Sequence, residues 1–112
     1  MAAHLIPSGE LPRSSARSRQ FEGEPYNAAV SFFLNDNGPG EGPGLHTHPY
    51  PETWIVRDGR ARFAAGEEEI EASPGDIVVV EAGTPHGFKA LGPGRLEMVC
   101  IHAAGRMVTE WL

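Results

Sequence analysis

The hydrophobic positions of this chain fall in short runs that are separated by turns rich in glycine and proline. Short runs of β-branched and aromatic residues between such turns are typical of β-strands. The pattern predicts strands at residues 26–34, 52–57, 60–65, 68–72, 77–80, 86–90 and 95–102, and a strand or docked terminal segment at 107–112. No stretch shows a convincing helical period. We therefore expect an all-β domain of about eight to ten short strands, built as a small closed barrel or a jelly roll.

Local signals refine this prediction. Asp58-Gly59 is the strongest two-residue hairpin turn in the chain. The run at 77–80, written IVVV, predicts a fully buried strand because it lacks polar alternation. Residues 35–44 are rich in glycine and proline and indicate a loop. Residues 1–20 lack apolar periodicity, so we interpret them as a flexible or partner-docking N-terminal arm, and 21–112 as a single domain.

Composition and charge narrow the class of protein. The chain has 112 residues, enough for one domain, and a formal charge of −6. Such an acidic chain repels a phosphate backbone, so we expect no nucleic-acid partner. Its one cysteine, Cys100, cannot form a disulfide within the chain, and we find neither a signal-peptide pattern nor a membrane-spanning stretch. We therefore expect a cytoplasmic protein without membrane association.

One stretch, GLHTHPYPE, concentrates candidate chemistry. If it is extended, His46, His48 and Glu52 have equal parity and project to the same side. His86, after a Gly-Thr-Pro turn, is the obvious candidate to join them from a neighbouring strand. Taken alone, the histidine pair fits an exposed polar rim better than a metal site. Three imidazoles and one carboxylate together suit one divalent transition metal, which could be iron, manganese, nickel, copper, cobalt or zinc.

Two spaced motifs resemble the signature motifs of the cupin superfamily, in its small single-domain form of the cupin 2 type. The first is Gly40-x5-His46-x-His48-x3-Glu52-x6-Gly59, and the second is Gly75-x5-Glu81-x-Gly83-x2-His86-x3-Ala90. The second departs from the family pattern at Glu81, where proline is usual, and at Ala90, where asparagine is usual. The resemblance implies a double-stranded β-helix with a metal ion held by His46, His48, Glu52 and His86.

The same resemblance implies a pocket that opens beside the metal inside the barrel. Trp54 shares parity with Glu52, and Phe88 shares parity with His86, so both aromatic residues should line this pocket. Core packing is the simpler explanation of the same aromatic residues. In a barrel whose core also holds the site, the two roles do not exclude each other.

The last predicted strand has two possible registers. In one register Met98, Cys100 and His102 face the pocket, and in the other the inward residues are Glu97, Val99 and Ile101. Met98 is then a candidate pocket residue. His102 is a candidate acid or base near the metal, although a strand-end histidine in contact with solvent fits the same position. We interpret Cys100 as a small buried apolar residue.

The expected ligand set limits the chemistry. A divalent ion with three neutral imidazoles and one carboxylate keeps a net charge of about +1, which favours anionic oxygen donors. The leading hypothesis is a dioxygenase-type metalloenzyme acting on a small oxygen-rich anion, with Glu52 or His102 moving protons. Metal-assisted isomerase, lyase or cyclase chemistry is the second hypothesis. The third is a small-molecule binding module without turnover.

The size of the chain also bears on its assembly. A domain this small buries a modest share of its surface, and a jelly roll leaves open sheet edges. Together with the resemblance, these features predict a homodimer, in which residues 1–24 lend a strand to the partner.

Overall fold

Ten β-strands form two facing antiparallel sheets in the computed structural model, which describes residues 2–112. The strands are β1 Arg19–Glu22, β2 Ser31–Asn37, β3 His46–Thr47, β4 Glu52–Asp58, β5 Ala61–Ala65, β6 Glu68–Ala72, β7 Ile77–Val80, β8 His86–Ala90, β9 Leu96–His102 and β10 Glu110–Trp111. Sheet I has the order β1-β2-β9-β4-β7, and sheet II has the order β10-β3-β8-β5-β6. The described helical segments are two single 3-10 turns, Ser8–Glu10 and Glu24–Tyr26, and neither could span a bilayer.

The all-β prediction is confirmed, and several predicted strands have the observed bounds. The predictions at 68–72, 77–80 and 86–90 match β6, β7 and β8. The predicted strand at 26–34 is wrong at its start, because β2 begins only at Ser31. A 3-10 turn occupies Glu24–Tyr26 instead, and Asn27 takes a left-handed conformation with φ 57°, which interrupts any extended run. The short strands β1 and β3 have no counterpart in the hydrophobic pattern.

The expectation that 77–80 is fully buried is wrong. Val78 and Val80 face the core, whereas Ile77 and Val79 are each 63% exposed. The reason is that β7 is the edge strand of sheet I, with only one of its faces against the other sheet. An unbroken apolar run therefore indicated a strand correctly but not how many of its faces are covered.

The core lies between the inner faces of the two sheets. Along β4 the buried positions alternate: Trp54 and Val56 face inward, and Ile55 between them is half-buried. Trp54 stacks on Phe63 of sheet II with ring centroids 4.3 Å apart, and Leu96 of β9 is fully buried beside them. Burial of such side chains is the main favourable term in folding a chain of this size.

The N-terminal segment lies against the barrel as far as the structure describes it. Nη1 of Arg19 donates to the carbonyl oxygens of Gly9 and Leu11, at 3.3 and 2.8 Å. The hydroxyl of Ser18, which is buried, accepts the backbone N–H of Asp36. These bonds bring the segment before β1 to one end of the barrel, and β1 itself pairs with β2 of the same chain.

Candidate metal centre

Both sheets contribute side chains to one cluster at the same end of the barrel. His46 is on β3 and pairs in register with His86 on β8, so sheet II brings two imidazoles together. His48 follows β3, and Glu52 begins β4 in sheet I. Their ligand atoms all lie within 4.8 Å of one another, and all four residues are buried. The four residues singled out in the sequence are therefore adjacent in space.

Backbone contacts hold the two histidine-bearing loops together. Gly83 has φ 76°, a conformation that glycine adopts at little cost, and its N–H donates to the carbonyl of His48 at 2.8 Å. Gly42 packs so closely on β8 that a Cβ there would lie 2.1 Å from the carbonyl oxygen of Phe88. Gly83 of the second motif thus ties the loop of His48 to the turn before His86, and Gly42, which lies between the motif positions, lets the loop before His46 pack on β8.

The three imidazoles present the same nitrogen to the centre. In each ring Nδ1 lies within hydrogen-bond distance of a backbone carbonyl, and a carbonyl can only accept. The acceptors are Gly44 O for His46 at 2.8 Å, Val108 O for His48 at 2.7 Å, and Thr84 O for His86 at 2.7 Å. Nδ1 is therefore the protonated nitrogen of the neutral ring, and the lone pair of Nε2 is free for a metal.

One carboxylate oxygen of Glu52 faces the histidines, and the other accepts a hydrogen bond from Trp54. Oε1 lies 3.0 Å from Nε2 of His48 and 3.0 Å from Nε2 of His86. Oε2 accepts the indole N–H of Trp54 at 2.7 Å. Trp54 therefore orients the carboxylate, a role that the sequence did not indicate.

The donor set fits a divalent ion. Two ligands at right angles, each about 2.1 Å from an ion, lie about 3.0 Å apart, which is the separation of Oε1 from the two Nε2 atoms. His48 Nε2 is also buried and has no hydrogen-bond partner in the described chain, because its contact with Glu52 lacks hydrogen-bond geometry. A buried nitrogen without a partner is costly, and a metal ion would satisfy it.

The surroundings of the cluster also shift the pKa values of three of the four ligands. Burial by itself raises the pKa of Glu52, but the contacts with His102, His48 and His86 outweigh it and hold this pKa well below its usual range. Burial, reinforced by the neighbouring histidines, lowers the pKa of His46. For His86 burial is outweighed by the contact with Glu52, which raises its pKa. The carboxylate is thus ionised, and His86 keeps its proton to a higher pH than an ordinary histidine does.

His102 lies beside the cluster and is held by Tyr50. The Tyr50 hydroxyl is 2.6 Å from His102 Nδ1 and accepts the N–H of Val108 at 3.0 Å. With its oxygen accepting one bond, the buried hydroxyl donates its own proton to Nδ1. Nε2 of His102 then carries the ring proton and lies 3.3 Å from Glu52 Oε2, outside hydrogen-bond geometry. His102 is therefore buried beside Glu52 and is not a strand-end histidine in contact with solvent.

A cavity of about 580 Å³ opens above the cluster and contains several of the predicted pocket residues. Trp54, Phe88, Cys100 and His102 line it. Met98 faces inward in the same register but packs in the apolar core, and it does not line the cavity. The inward register of β9 is therefore the one with Met98, Cys100 and His102, and only its half nearest the cluster reaches the cavity.

Several lining residues lie outside the motifs, so the sequence did not indicate them. Trp111 of β10 packs on His46 with ring centroids 4.7 Å apart and forms part of the mouth. Asn35 donates from Nδ2 to the Cys100 sulfur at 3.1 Å, and burial raises the pKa of that thiol well above its ordinary value. Arg13 and Gln20 reach the cavity from the N-terminal segment. Strand parity along β2 could have identified Asn35 as an inward residue. The N-terminal segment has no periodicity, so the sequence could not show that Arg13 and Gln20 reach the cavity.

Comparison with known families agrees with this geometry. A family model described as "Cupin domain" matches residues 36–102, which include all four clustered residues. This chain belongs to the cupin family. Searching curated proteins gives no match to its sequence. The motif-based resemblance is therefore confirmed at the level of the family, over more than half of the chain.

Solved structures of cupin-like proteins share the fold. An uncharacterised conserved protein with a double-stranded β-helix domain from Klebsiella pneumoniae superposes with a TM-score of 0.75 at 23% identity, covering 96% of each chain. Oxalate decarboxylase from Bacillus subtilis gives 0.82 at 19% identity, over 99% of this cupin and 34% of that chain. A recombinant oxalate oxidase in complex with glycolate gives 0.78 at 15% identity, over 96% and 62%. This cupin thus spans about a third of the decarboxylase, and such identities support the fold alone.

Proposed function

We propose that this cupin is a metal-dependent enzyme that acts on a small, oxygen-rich anionic substrate in the cavity above the cluster. The observation that carries the proposal is the convergence of three Nε2 atoms with fixed tautomers and one ionised carboxylate at the base of that cavity. Each histidine ring is oriented by the backbone carbonyl of another residue, and the carboxylate is oriented by Trp54. A site so fully supported favours a function over a vestigial cluster.

His46, His48, Glu52 and His86 would hold one divalent transition metal. When bound, the ion would supply a Lewis acid that orients and polarises an oxygen donor, and a redox-active ion would also support reaction with O2. The chain's own residues supply the rest. Trp54 and Phe88 form apolar walls that exclude water, and His102 holds a proton on Nε2 beside the cluster.

The class of substrate follows from charge. The ligand set leaves a net charge of about +1 on a divalent ion, which favours an anionic donor. Arg13 adds a cation to the cavity lining, and no carboxylate of the described residues lies within salt-bridge distance of it. A guanidinium binds carboxylates with paired hydrogen bonds. We infer a carboxylate-bearing substrate that reaches the ion with one end and Arg13 with the other.

Oxidation by O2 is the reaction type that we place first. The ligand set suits redox-active metals, and one protein of similar fold is an oxalate oxidase. A non-redox lyase or decarboxylase is the second candidate, because chemistry of that type needs only a Lewis acid and a proton donor, and the Tyr50–His102 pair offers a proton within 3.3 Å of Glu52.

Binding and turnover can be tested separately. Titration of the metal-loaded protein with oxalate, hydroxy acids, catechols and 1,3-diketones under anaerobic conditions should show tighter binding of the anions than of their neutral analogues. Oxygen uptake on addition of air then identifies the oxidative reaction, whereas product without uptake identifies the non-redox one. Exclusive binding of neutral apolar compounds would contradict the proposal.

Arg13 provides a matched pair of variants. Replacement Arg13→Gln should weaken binding of carboxylates by about fivefold to tenfold, because it removes the cation from the cavity. Arg17→Gln removes the same charge from the same segment, but its side chain lines a groove on the other side of sheet I, so it should have no effect. Equal effects of the two variants would assign the loss to net charge and not to the cavity.

A further inference from the structure

We propose that the segment 107–112, which we call the strap, positions the metal ligand His48, and that metal binding in turn holds the strap in place. The strap contains β10 and runs along the mouth of the cavity, where Thr109 and Trp111 line it. It lies outside both sequence motifs. This role rests on the proposed metal-binding function and adds a distant segment to the parts of the chain that support it.

The orienting carbonyl of His48 differs in origin from those of the other two imidazoles. His46 and His86 each have Nδ1 on the carbonyl of the residue two positions before them, so their own loops fix their rings. Nδ1 of His48 lies 2.7 Å from the carbonyl oxygen of Val108, 60 residues further along the chain. The orientation of the His48 ring therefore depends on where the strap lies.

Tyr50 connects the strap to His48 in two ways. Its ring stacks on the imidazole of His48, with centroids 5.1 Å apart and planes 3° apart. Its hydroxyl accepts the N–H of Val108 at 3.0 Å, and the carbonyl of Val108 is the acceptor for His48. The three residues thus form a closed ring of contacts. If the strap moved away, His48 would lose its acceptor, and its imidazole could rotate out of the cluster.

Hydrogen bonds hold the strap more than apolar packing does. The core formed by the described residues includes no member of the strap, and Trp111 and Leu112 are 64% and 69% exposed. At one end the N–H of Met107 donates to Oε2 of Glu22 at 2.8 Å, and at the other the N–H of Leu112 donates to the loop before β3 at 3.1 Å. Segments with little buried apolar area open locally at a low cost in free energy. The docked position of the strap therefore depends on a few bonds, and those to His48 and Tyr50 are among them.

The coupling between the strap and the ion is reciprocal. The carbonyl of Val108 keeps the proton of His48 on Nδ1 and raises the basicity of Nε2, so His48 binds an ion better while the strap is docked. By linkage, an ion on Nε2 favours the docked strap by the same factor. Because Thr109 and Trp111 line the cavity, metal binding also completes the wall that a substrate meets.

The first test removes one hydroxyl. Tyr50→Phe keeps the ring that stacks on His48 but loses the acceptor of the Val108 N–H. We expect its affinity for Zn²⁺ or Mn²⁺, whichever the wild type binds more tightly, to fall about tenfold by isothermal titration. Tyr26→Phe removes the hydroxyl of a tyrosine that stacks on Phe21 and does not line the cavity, so it should bind as wild type does.

The outcomes of this test separate the strap from the metal site. Wild-type affinity in Tyr50→Phe would overturn the role of the strap and leave the metal site standing. A wild type that binds no divalent transition metal would contradict the metal site, and the role of the strap with it.

A second pair of variants loosens the strap away from the cluster. Glu22 lies on β1 outside the cavity lining, and its carboxylate is the acceptor for Met107. Glu22→Ala should lower metal affinity about threefold, as expected for the loss of one hydrogen bond that holds the docked strap. Glu22→Gln keeps an acceptor oxygen and should restore most of the affinity. If Glu22→Gln bound as weakly as Glu22→Ala, the loss would come from charge, and the strap would not be its cause.

Hydrogen exchange measures the coupling from the other side. The amides of Met107, Val108 and Leu112 donate hydrogen bonds when the strap is docked, so they should exchange several-fold more slowly in the wild type saturated with the same ion. The amides of β6, at the other edge of sheet II, should change little. In Tyr50→Phe the slowing should be smaller. If the wild type bound the ion and the strap exchanged as fast as before, the proposal would fail.

Discussion

The two faces of sheet I reverse the usual distribution of polar and apolar side chains. Its inner face carries Glu52 and His102, paired in register and almost fully buried, whereas its outer face exposes Ile77 and Val79. Sheet II follows the ordinary rule on its outer face, with charged side chains toward solvent. Buried charge needs a compensating partner, and exposed apolar area needs a cover. The buried polar cluster on the inner face is therefore where a metal ion would bind, and the apolar outer face is where the homodimer predicted from the sequence would form.

The inner face is itself divided along the strands. At one end of β4 and β9 lie Glu52 and His102, and at the other end lie Val56 and Met98, which are completely or almost completely buried in the apolar core. Folding energy thus comes mainly from one half of the barrel, while the other half holds the polar cluster. This division lets substitutions in the cluster alter binding without removing the core.

Removal of two ligands should have the largest effect. We expect His46→Ala/His86→Ala to lose measurable affinity for divalent transition metals by isothermal titration, because two of the four donors disappear. His4→Ala removes a histidine of the N-terminal segment and should bind as wild type does. Stoichiometric metal binding by the double variant would show that His46 and His86 are not ligands.

The orienting bond to Glu52 should have the next largest effect. Trp54→Phe keeps an aromatic ring against Phe63 but loses the N–H that Oε2 accepts. Loss of such a supporting contact typically lowers metal affinity about 10-fold to 100-fold. Phe63→Leu perturbs the same packing without touching the carboxylate, so it should lower thermal stability and leave metal affinity nearly unchanged. If Trp54→Phe lowered thermal stability but left metal affinity unchanged, Trp54 would serve packing alone.

Adjacent residues of β7 allow a direct comparison of the two faces of sheet I. Val78→Ala creates a cavity in the core and should lower the free energy of unfolding by about 2 kcal/mol. Val79→Ala alters an exposed side chain and should change it by less than about 0.5 kcal/mol when the chain is dilute. Urea unfolding at low protein concentration measures both, and equal losses would mean that the outer face is covered within the monomer.

The dependence of metal affinity on pH should be the smallest effect. The pKa of His86 is raised above 6.5 because Glu52 stabilises its protonated ring, and this ring must lose that proton to bind a metal. Affinity should therefore rise by up to about tenfold per pH unit as pH increases toward this pKa, and level off above it. In the metal-free protein the sign is opposite: the His86–Glu52 contact stabilises the fold below pH 6.5, and this contribution is lost as pH rises through the folded pKa. Titration calorimetry between pH 5.5 and 8 measures the pH dependence of metal affinity. Scanning calorimetry of the metal-free protein over the same range measures that of its stability.

The sequence predicted the strands and the cluster better than it predicted their surroundings. Glycine and proline turns defined most strands, and fixed spacings identified His46, His48, Glu52 and His86, because strand parity and motif spacing are local properties. The exposure of Ile77 depends on which strand ends the sheet, and that order is set by the whole topology. Arg13 and Trp111 reach the cavity, and Tyr50 reaches His102, from segments without periodicity, so only the folded chain places them there.

Metal binding by the cluster is best measured by elemental analysis of the purified chain after incubation with each candidate metal and removal of free ions. We expect about one divalent ion per 12.1 kDa chain in the wild type and none in the variant that lacks His46 and His86. A wild-type chain that folds but retains no iron, manganese, nickel, copper, cobalt or zinc would contradict it.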